Sequence, residues 1–215
     1  MTVASRPARP RRRWLWLLLV PLAVAIVSLG GLYVWQMYVL DNFHEVVPGQ
    51  VYRSRQPSSA DLIAWAQAHQ IRTVINLRGD DDIPVVQSEV DTLNRLGINY
   101  VSLRLPVKHL PSPEELRSLI EAVENAQRPL LIHCRAGADR AGLASCIAVM
   151  AIGHQSFESG ETQISLRYWH FGLDSRTDVT GPAEIYEDWC HNNQHRTAGW
   201  KQFRKWAYET YSVAN

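Results

Sequence analysis

Hydrophobic and polar positions along this chain follow two regimes that meet near residue 40. From Trp14 to Val39 the sequence WLWLLLVPLAVAIVSLGGLYVWQMYV runs 26 residues without a charge, against the roughly 20 that a helix needs to cross a bilayer. Trp14 and Trp16 at one end, with Tyr33, Trp35 and Tyr38 at the other, stand where interfacial aromatic belts belong. Pro21, Gly30 and Gly31 are tolerated in such a helix. A cleaved signal peptide is the rival reading, but its apolar region runs only about 7–15 residues and ends in small residues. Here the stretch is longer and ends in bulky aromatics, so an uncleaved transmembrane anchor over 14–39 is expected.

Beyond Asp41, short apolar runs alternate with helical stretches, the pattern of an α/β domain with a central, mostly parallel sheet flanked by helices. Val51–Arg53, Arg72–Leu77, Tyr100–Leu103 and the apolar Pro129–His133 read as strands. Helices are predicted over about Ser59–His69, over Pro84–Leu96 with Gly97 as the stop, and from Ser112 to about Ala126. Ser112-Pro113-Glu114-Glu115 is a helix start: serine as cap, proline in the first turn, then early acids. The chain after Arg140 reads as mostly helical, with loops around Gly172–Pro182. The expected organisation is a basic tail (1–13), the anchor (14–39) and one domain (40–215).

Charge changes the picture at the N-terminus. The net charge of +1 averages a cluster, Arg6, Arg9, Arg11, Arg12 and Arg13, with a mildly acidic remainder; removing those five from the 22 basic residues leaves 17 against 21 acidic ones. A mildly acidic domain argues against a nucleic-acid partner. The arginine cluster beside the anchor predicts a cytoplasmic N-terminus, with the rest of the chain across the membrane, in the periplasm if the source is bacterial. Cys134, Cys146 and Cys190 are too few and too scattered for a disulfide framework or a CxxC zinc site.

Cys134 stands apart from the other two. After the apolar strand PLLIH comes His133-Cys134-Arg135-Ala136-Gly137-Ala138-Asp139-Arg140-Ala141-Gly142, followed by the apolar run LASCIAVMAI. Strand, tight loop and helix N-terminus together make an anion site, because successive N–H groups and the helix dipole converge on one spot. The same field favours the reactive thiolate form of a cysteine placed there. Arg140, six residues on, can fold back and clamp two phosphate oxygens with its planar fork, and Gly137 lets the loop turn without a Cβ.

These residues resemble the HCxxGxxR signature of the protein tyrosine and dual-specificity phosphatase superfamily, with Cys134 and Arg140 on its cysteine and arginine and His133 on its histidine. The likeness extends more weakly over about residues 45–170, where VPGQVYRSRQPS and TVINLRG look like bacterial dual-specificity members. Rhodanese-type sulfur transferases also use a cysteine in a cradle loop, but that resemblance calls for a loop one residue shorter. The resemblance implies thiolate attack, a phosphocysteine and its hydrolysis by water, with His133, Arg135, Ala136, Gly137 and Ala138 around the phosphate and no metal or cofactor required. The partner it implies is a phosphorylated substrate, a lipid phosphate or a phosphoprotein.

Two departures from the family pattern matter. The stretch Val101–Leu110, where the family carries an aspartic general acid, holds no acid. Asp139 is the first replacement candidate, since some inositol-lipid phosphatases with a similar loop use an aspartate just before the arginine; an ordinary helix N-cap is the competing reading. Asp80, Asp81 and Asp82 come next, at the carboxyl edge of the sheet, unless they form a solvated acidic turn. Ala141 replaces the serine or threonine that helps the phosphocysteine step, so a catalytically weak phosphate-binding module is the alternative to an enzyme. Of the rest, Cys146 reads as core. Trp200, Phe203, Trp206, Tyr208 and Tyr211 read as a packed helical face or a membrane-contacting one. His191 and His195 lack the third ligand a metal would need. The short tether from the anchor, about ten residues, favours a membrane lipid or glycolipid phosphate over a phosphoprotein.

Overall fold

The computed structural model describes residues 13–38, 41–79, 82–172, 178–193 and 199–213. The tail, Asp80, Asp81 and His195, and the side chains of Trp14 and Tyr38, lie outside the described residues. The chain divides into a unit ending at Leu40 and one beginning at Asp41. The first contains one helix, α1 (Arg13–Tyr38), with Pro21 inside it. Its Trp16–Trp35 segment has a mean hydropathy of 2.4 and buries none of its side chains, so by length and composition it can cross a membrane.

The second unit is an α/β domain around a five-stranded sheet in the order β1-β2-β5-β3-β4. β2 (Val51–Ser54), β5 (Leu130–His133), β3 (Thr73–Asn76) and β4 (Asn99–Ser102) run parallel. An edge strand that the sequence reading left out, β1 (His44–Val47), pairs antiparallel with β2. It is short and its register shifts between Glu45 and Val47, so the alternation that would announce it is broken.

Successive strand residues face opposite layers, as the two-residue period of a strand requires. Val51, Ile75, Leu130 and Ile132 join the larger core with α4 (Pro113–Asn125), α5 (Asp139–Ala151) and α8 (Trp200–Glu209). Tyr52, Val74 and Leu131 join a smaller core with Leu62 of α2 (Ser59–His69) and Leu93 of α3 (Pro84–Leu96). Ser58 and Ser112 cap α2 and α4 through complete capping boxes with Asp61 and Glu115. Gly97 ends α3 in the left-handed region.

α5 is the central helix. It is apolar on all sides, buried from Arg140 to Met150, and packs against α4, α8, the sheet and α6 (Phe157–Glu161). Cys146 lies inside it, its thiol pushed far up by burial, as core packing implies. After a 3-10 turn (Leu166–Tyr168), α7 begins at Gly181, so the loop closes before Pro182. Phe203, Trp206 and Tyr211 are buried, and the Tyr211 hydroxyl donates to Pro111 O at 2.8 Å; this aromatic run belongs to the core.

Candidate active site

The sheet register puts three strand ends in one row: Ser54 and Asn76 both pair with His133. The chain leaving β5 therefore emerges between two parallel neighbours, at the carboxyl edge where open α/β sheets bind ligands. There residues 134–138 turn tightly into α5.

The turn is held from outside by its carbonyls. Arg135 O accepts from Gln56 N at 3.3 Å, Ala136 O from Asn42 Nδ2 at 3.0 Å, and Gly137 O and Ala138 O from Arg53 Nη2 at 2.7 and 3.0 Å. With four successive carbonyls tied outward, the N–H groups of the loop are left for its inner side, and Gly137 N donates to Cys134 Sγ at 3.2 Å. Gly137 has φ +73°, and a Cβ there would stand 2.7 Å from the Ser54–Arg55 backbone. Only glycine meets both conditions.

Arg53 is the anchor of this arrangement. It sits fully buried in β2, its guanidinium 4.1 Å from the Tyr168 ring centroid, with Nη1 donating to Gln163 O at 2.7 Å. Burial pushes it down to about 10, so it keeps its charge at neutral pH. A buried cation whose hydrogen-bond partners are carbonyls rather than a carboxylate leaves positive potential beneath the loop.

His133 and Cys134 are placed by a second network. Glu89 of α3, buried, accepts from His133 Nε2 on one oxygen and from Gln56 Nε2 on the other, both at 2.7 Å. His133 is fully buried and, bonded to Glu89, fixes the strand end from which the loop departs. Cys134 is 3 % exposed at the floor of the loop. Arg140 Nη1 donates to Leu77 O at 3.2 Å, and Arg140 lines a cavity of about 380 Å³ with Arg78, Arg104, Arg135, Leu105, Pro106 and Val107. Among the described residues its lining holds four arginines and no acidic residue.

Asp139 is not the helix cap. Ala138 holds that position without a side-chain bond, and Asp139, the first helical residue, accepts from His170 Nδ1 at 2.8 Å. Of the second acid candidates, Asp82 is described and exposed, outside the lining of this cavity. Among the described residues no cluster of three or more His, Cys, Asp or Glu could hold a metal.

The family described as DSP-PTPase phosphatase fused to NAD+ kinase matches residues 40–167, more than half of the chain and the whole of the loop. The chain belongs to the DSP-PTPase phosphatases. No curated protein matches its sequence. Among solved structures, the catalytic domain of the PP-IP phosphatase SIW14 from S. cerevisiae has a TM-score of 0.55 at 22% identity, covering 74% of this chain and 96% of that one. TpbA from P. aeruginosa gives 0.52 at 20%, covering 76% and 88%. PTPMT1 gives 0.53 at 13%, covering 71% and 98%. These likenesses establish the phosphatase fold.

Arg53, Gln56, Glu89, Arg78, Arg104 and His170 stand around the loop without any of them having been expected there from the sequence alone. A usable signal existed for Arg53, a charged residue inside an apolar strand and within the segment VPGQVYRSRQPS that resembled the family. Glu89 and His170 are brought in by tertiary structure alone, on α3 and after the 3-10 turn.

Proposed function

We propose that this DSP-PTPase domain hydrolyses phosphomonoesters through a phosphocysteine, and that its substrate is a phosphate presented at a membrane surface. The observation that carries the chemistry is the Cys134–Arg140 loop, with its carbonyls tied outward and Gly137 N on the sulfur. Cys134 attacks phosphorus as a thiolate. The inward N–H groups and the Arg140 fork stabilise charge on the equatorial oxygens, the main task of a phosphoryl-transfer site. Water then displaces the cysteine. Asp139 belongs to the proton-transfer machinery, because the 101–110 stretch brings no acid to the cavity.

The substrate class rests on two further observations. Arg78, Arg104, Arg135 and Arg140 around one cavity suit a strongly anionic headgroup. α1 ends at Tyr38 and β1 begins at His44, so the connecting chain reaches at most roughly 20 Å. With α1 as a membrane anchor, this tether confines the domain to the neighbourhood of a bilayer, where lipid phosphates are concentrated. The relatives do not decide this point: SIW14 is described as a PP-IP phosphatase, and a cysteine-to-serine variant of TpbA was solved in complex with pTyr.

A turnover panel of phosphotyrosine peptide, phosphoserine peptide, inositol phosphate and vesicle-embedded lipid phosphate tests the assignment. We expect kcat/KM on vesicles to exceed the peptide values by at least about tenfold, ~1.4 kcal/mol of transition-state stabilisation. Preference for the tyrosine peptide would overturn the lipid assignment. The N-terminal arginines argue for a phosphatase domain outside the cytoplasm. Reporters fused after Asn215 are expected to read extracytoplasmic, and a cytoplasmic readout would reverse the topology.

A further inference from the structure

His170 is nearly buried, 7 % exposed, and its Nδ1 lies 2.8 Å from Asp139 Oδ1, while the Asp139 side chain is 41 % exposed. Asp139 stands beside Arg140 at the start of α5. Asp139 and His170 line one cavity of about 650 Å³ with Val107, Lys108, Trp169 and Phe171. Val107 also lines the arginine cavity, so the two cavities adjoin the same loop. An ionised carboxylate only accepts, so in this pair His170 Nδ1–H donates to Asp139 Oδ1. A carboxylate in that state orients a proton donor and is not one itself.

We propose that His170 is the general acid and base of the reaction, and that Asp139 is the carboxylate that fixes its ring; this rests on the phosphatase assignment above. In the first step the Cys134 Sγ–P bond forms while the bond from phosphorus to the leaving oxygen breaks. The electron pair stays on that oxygen, which takes the Nε2 proton of the imidazolium while Nδ1–H remains with Asp139. In the second step the neutral ring removes a proton at Nε2 from the water attacking phosphorus. The S–P bond breaks, its electrons return to the Cys134 sulfur, and the imidazolium is restored. Such a dyad does the work of the acid absent from residues 101–110.

Charged groups face the ring from two sides. Lys108 and Asp178 share the cavity with Asp139. On the other side, Glu161 and Glu184 line a cavity of about 290 Å³ that also includes His170. Burial, with Glu187, Glu158 and Glu184 nearby, pushes Glu161 up to about 7. Lys108 opposes positive charge on the ring, Asp139, Asp178 and Glu184 favour it, and Glu161 adds to them only as it ionises.

The test is the dependence of the covalent step on the leaving group, read by rapid-quench bursts of the full chain on an alkyl phosphate and an activated aryl phosphate. His170→Gln is expected to lose about a hundredfold more on the alkyl than on the aryl ester, within the ~10²–10⁴ typical of proton transfer, and to lose the alkaline limb of kcat/KM. A purely structural role would lower both esters equally, and that result overturns the proposal. Asp139→Asn probes the pair from the other side and serves alone if His170→Gln does not fold. The alkaline limb should persist, displaced to lower pH, because the ring loses its carboxylate. Disappearance of the limb in Asp139→Asn would make Asp139 the acid and overturn the assignment of His170. A wild-type protein that forms no phosphocysteine with either ester overturns the phosphatase assignment, and this proposal with it.

Discussion

Cys134→Ser is expected to lower phosphate release by at least about 10⁴-fold, the scale seen when a nucleophile is removed from a preorganised site. A serine hydroxyl keeps its proton at neutral pH, and no base in the loop is placed to take it: the contact to the Cys134 sulfur is the donor Gly137 N–H. The exchange is close to isosteric at a residue 3 % exposed, and the bonds to Gly137 O, Ala138 O and Ala136 O are made by Arg53 and Asn42, which the substitution does not touch. The variant should therefore fold and still bind substrate through Arg140 and the loop N–H groups. Steady-state release on an activated aryl phosphate, with EDTA present, gives the rate; rapid quench gives the intermediate, present in wild type and absent in the variant. Equal rates in the two proteins would remove Cys134 from the nucleophile role.

The same experiment separates the enzyme from the binding module that Ala141 and the acid-free 101–110 stretch left open. Ala141 is fully buried at the start of α5, so no hydroxyl is supplied there. An intermediate that forms and accumulates would place the slow step at its hydrolysis. If wild type forms no intermediate and no product with any ester, the loop is a phosphate-binding module.

Much of the fold was legible because it rests on local rules. The capping boxes at Ser58 and Ser112, Gly97 after α3 and the apolar β5 each announce an element within a few residues. Cys134, Gly137 and Arg140 were legible for the same reason, since strand, turn and helix fall in one short stretch. Pairings across the chain were not. Glu89 looks like a surface acid on an amphipathic helix, and only the packing of α3 on the sheet carries it to His133, 44 residues away. Asp139 had two local readings, cap or acid, and its partner His170 lies 31 residues on, after a turn without periodicity. Strand β1 is four residues long with a register shift, too short for alternation to show.

Arg53→Met is the second large effect expected, and here stability and rate move together. Methionine fills much of the same volume but donates nothing, so Gly137 O and Gln163 O lose their guanidinium donor, while Ala138 O keeps its bond from Gly142 N at 2.7 Å. Each stranded buried acceptor costs about 1–3 kcal/mol. Removing a buried cation relieves some desolvation, and a net loss of about 3–5 kcal/mol is expected. For a domain of this size that corresponds to a melting point lower by roughly 10–15 °C. Below the melting transition the rate should still fall about a hundredfold, the scale of one lost oxyanion donor. The peptide plane carrying Gly137 O, freed from Arg53, can rotate and turn its carbonyl toward the phosphate site in place of an N–H group. Arg53→Lys should fall between, because an ammonium keeps the charge but cannot span Gln163 on one side and the loop on the other with a planar fork. Thermal melts and kcat/KM on the same preparations, at a temperature where both variants are folded, check the argument. Wild-type kcat/KM in folded Arg53→Met would mean that the loop holds its shape without the guanidinium beneath it, and the outward tie of its carbonyls would have to come from Asn42 and Gln56 alone.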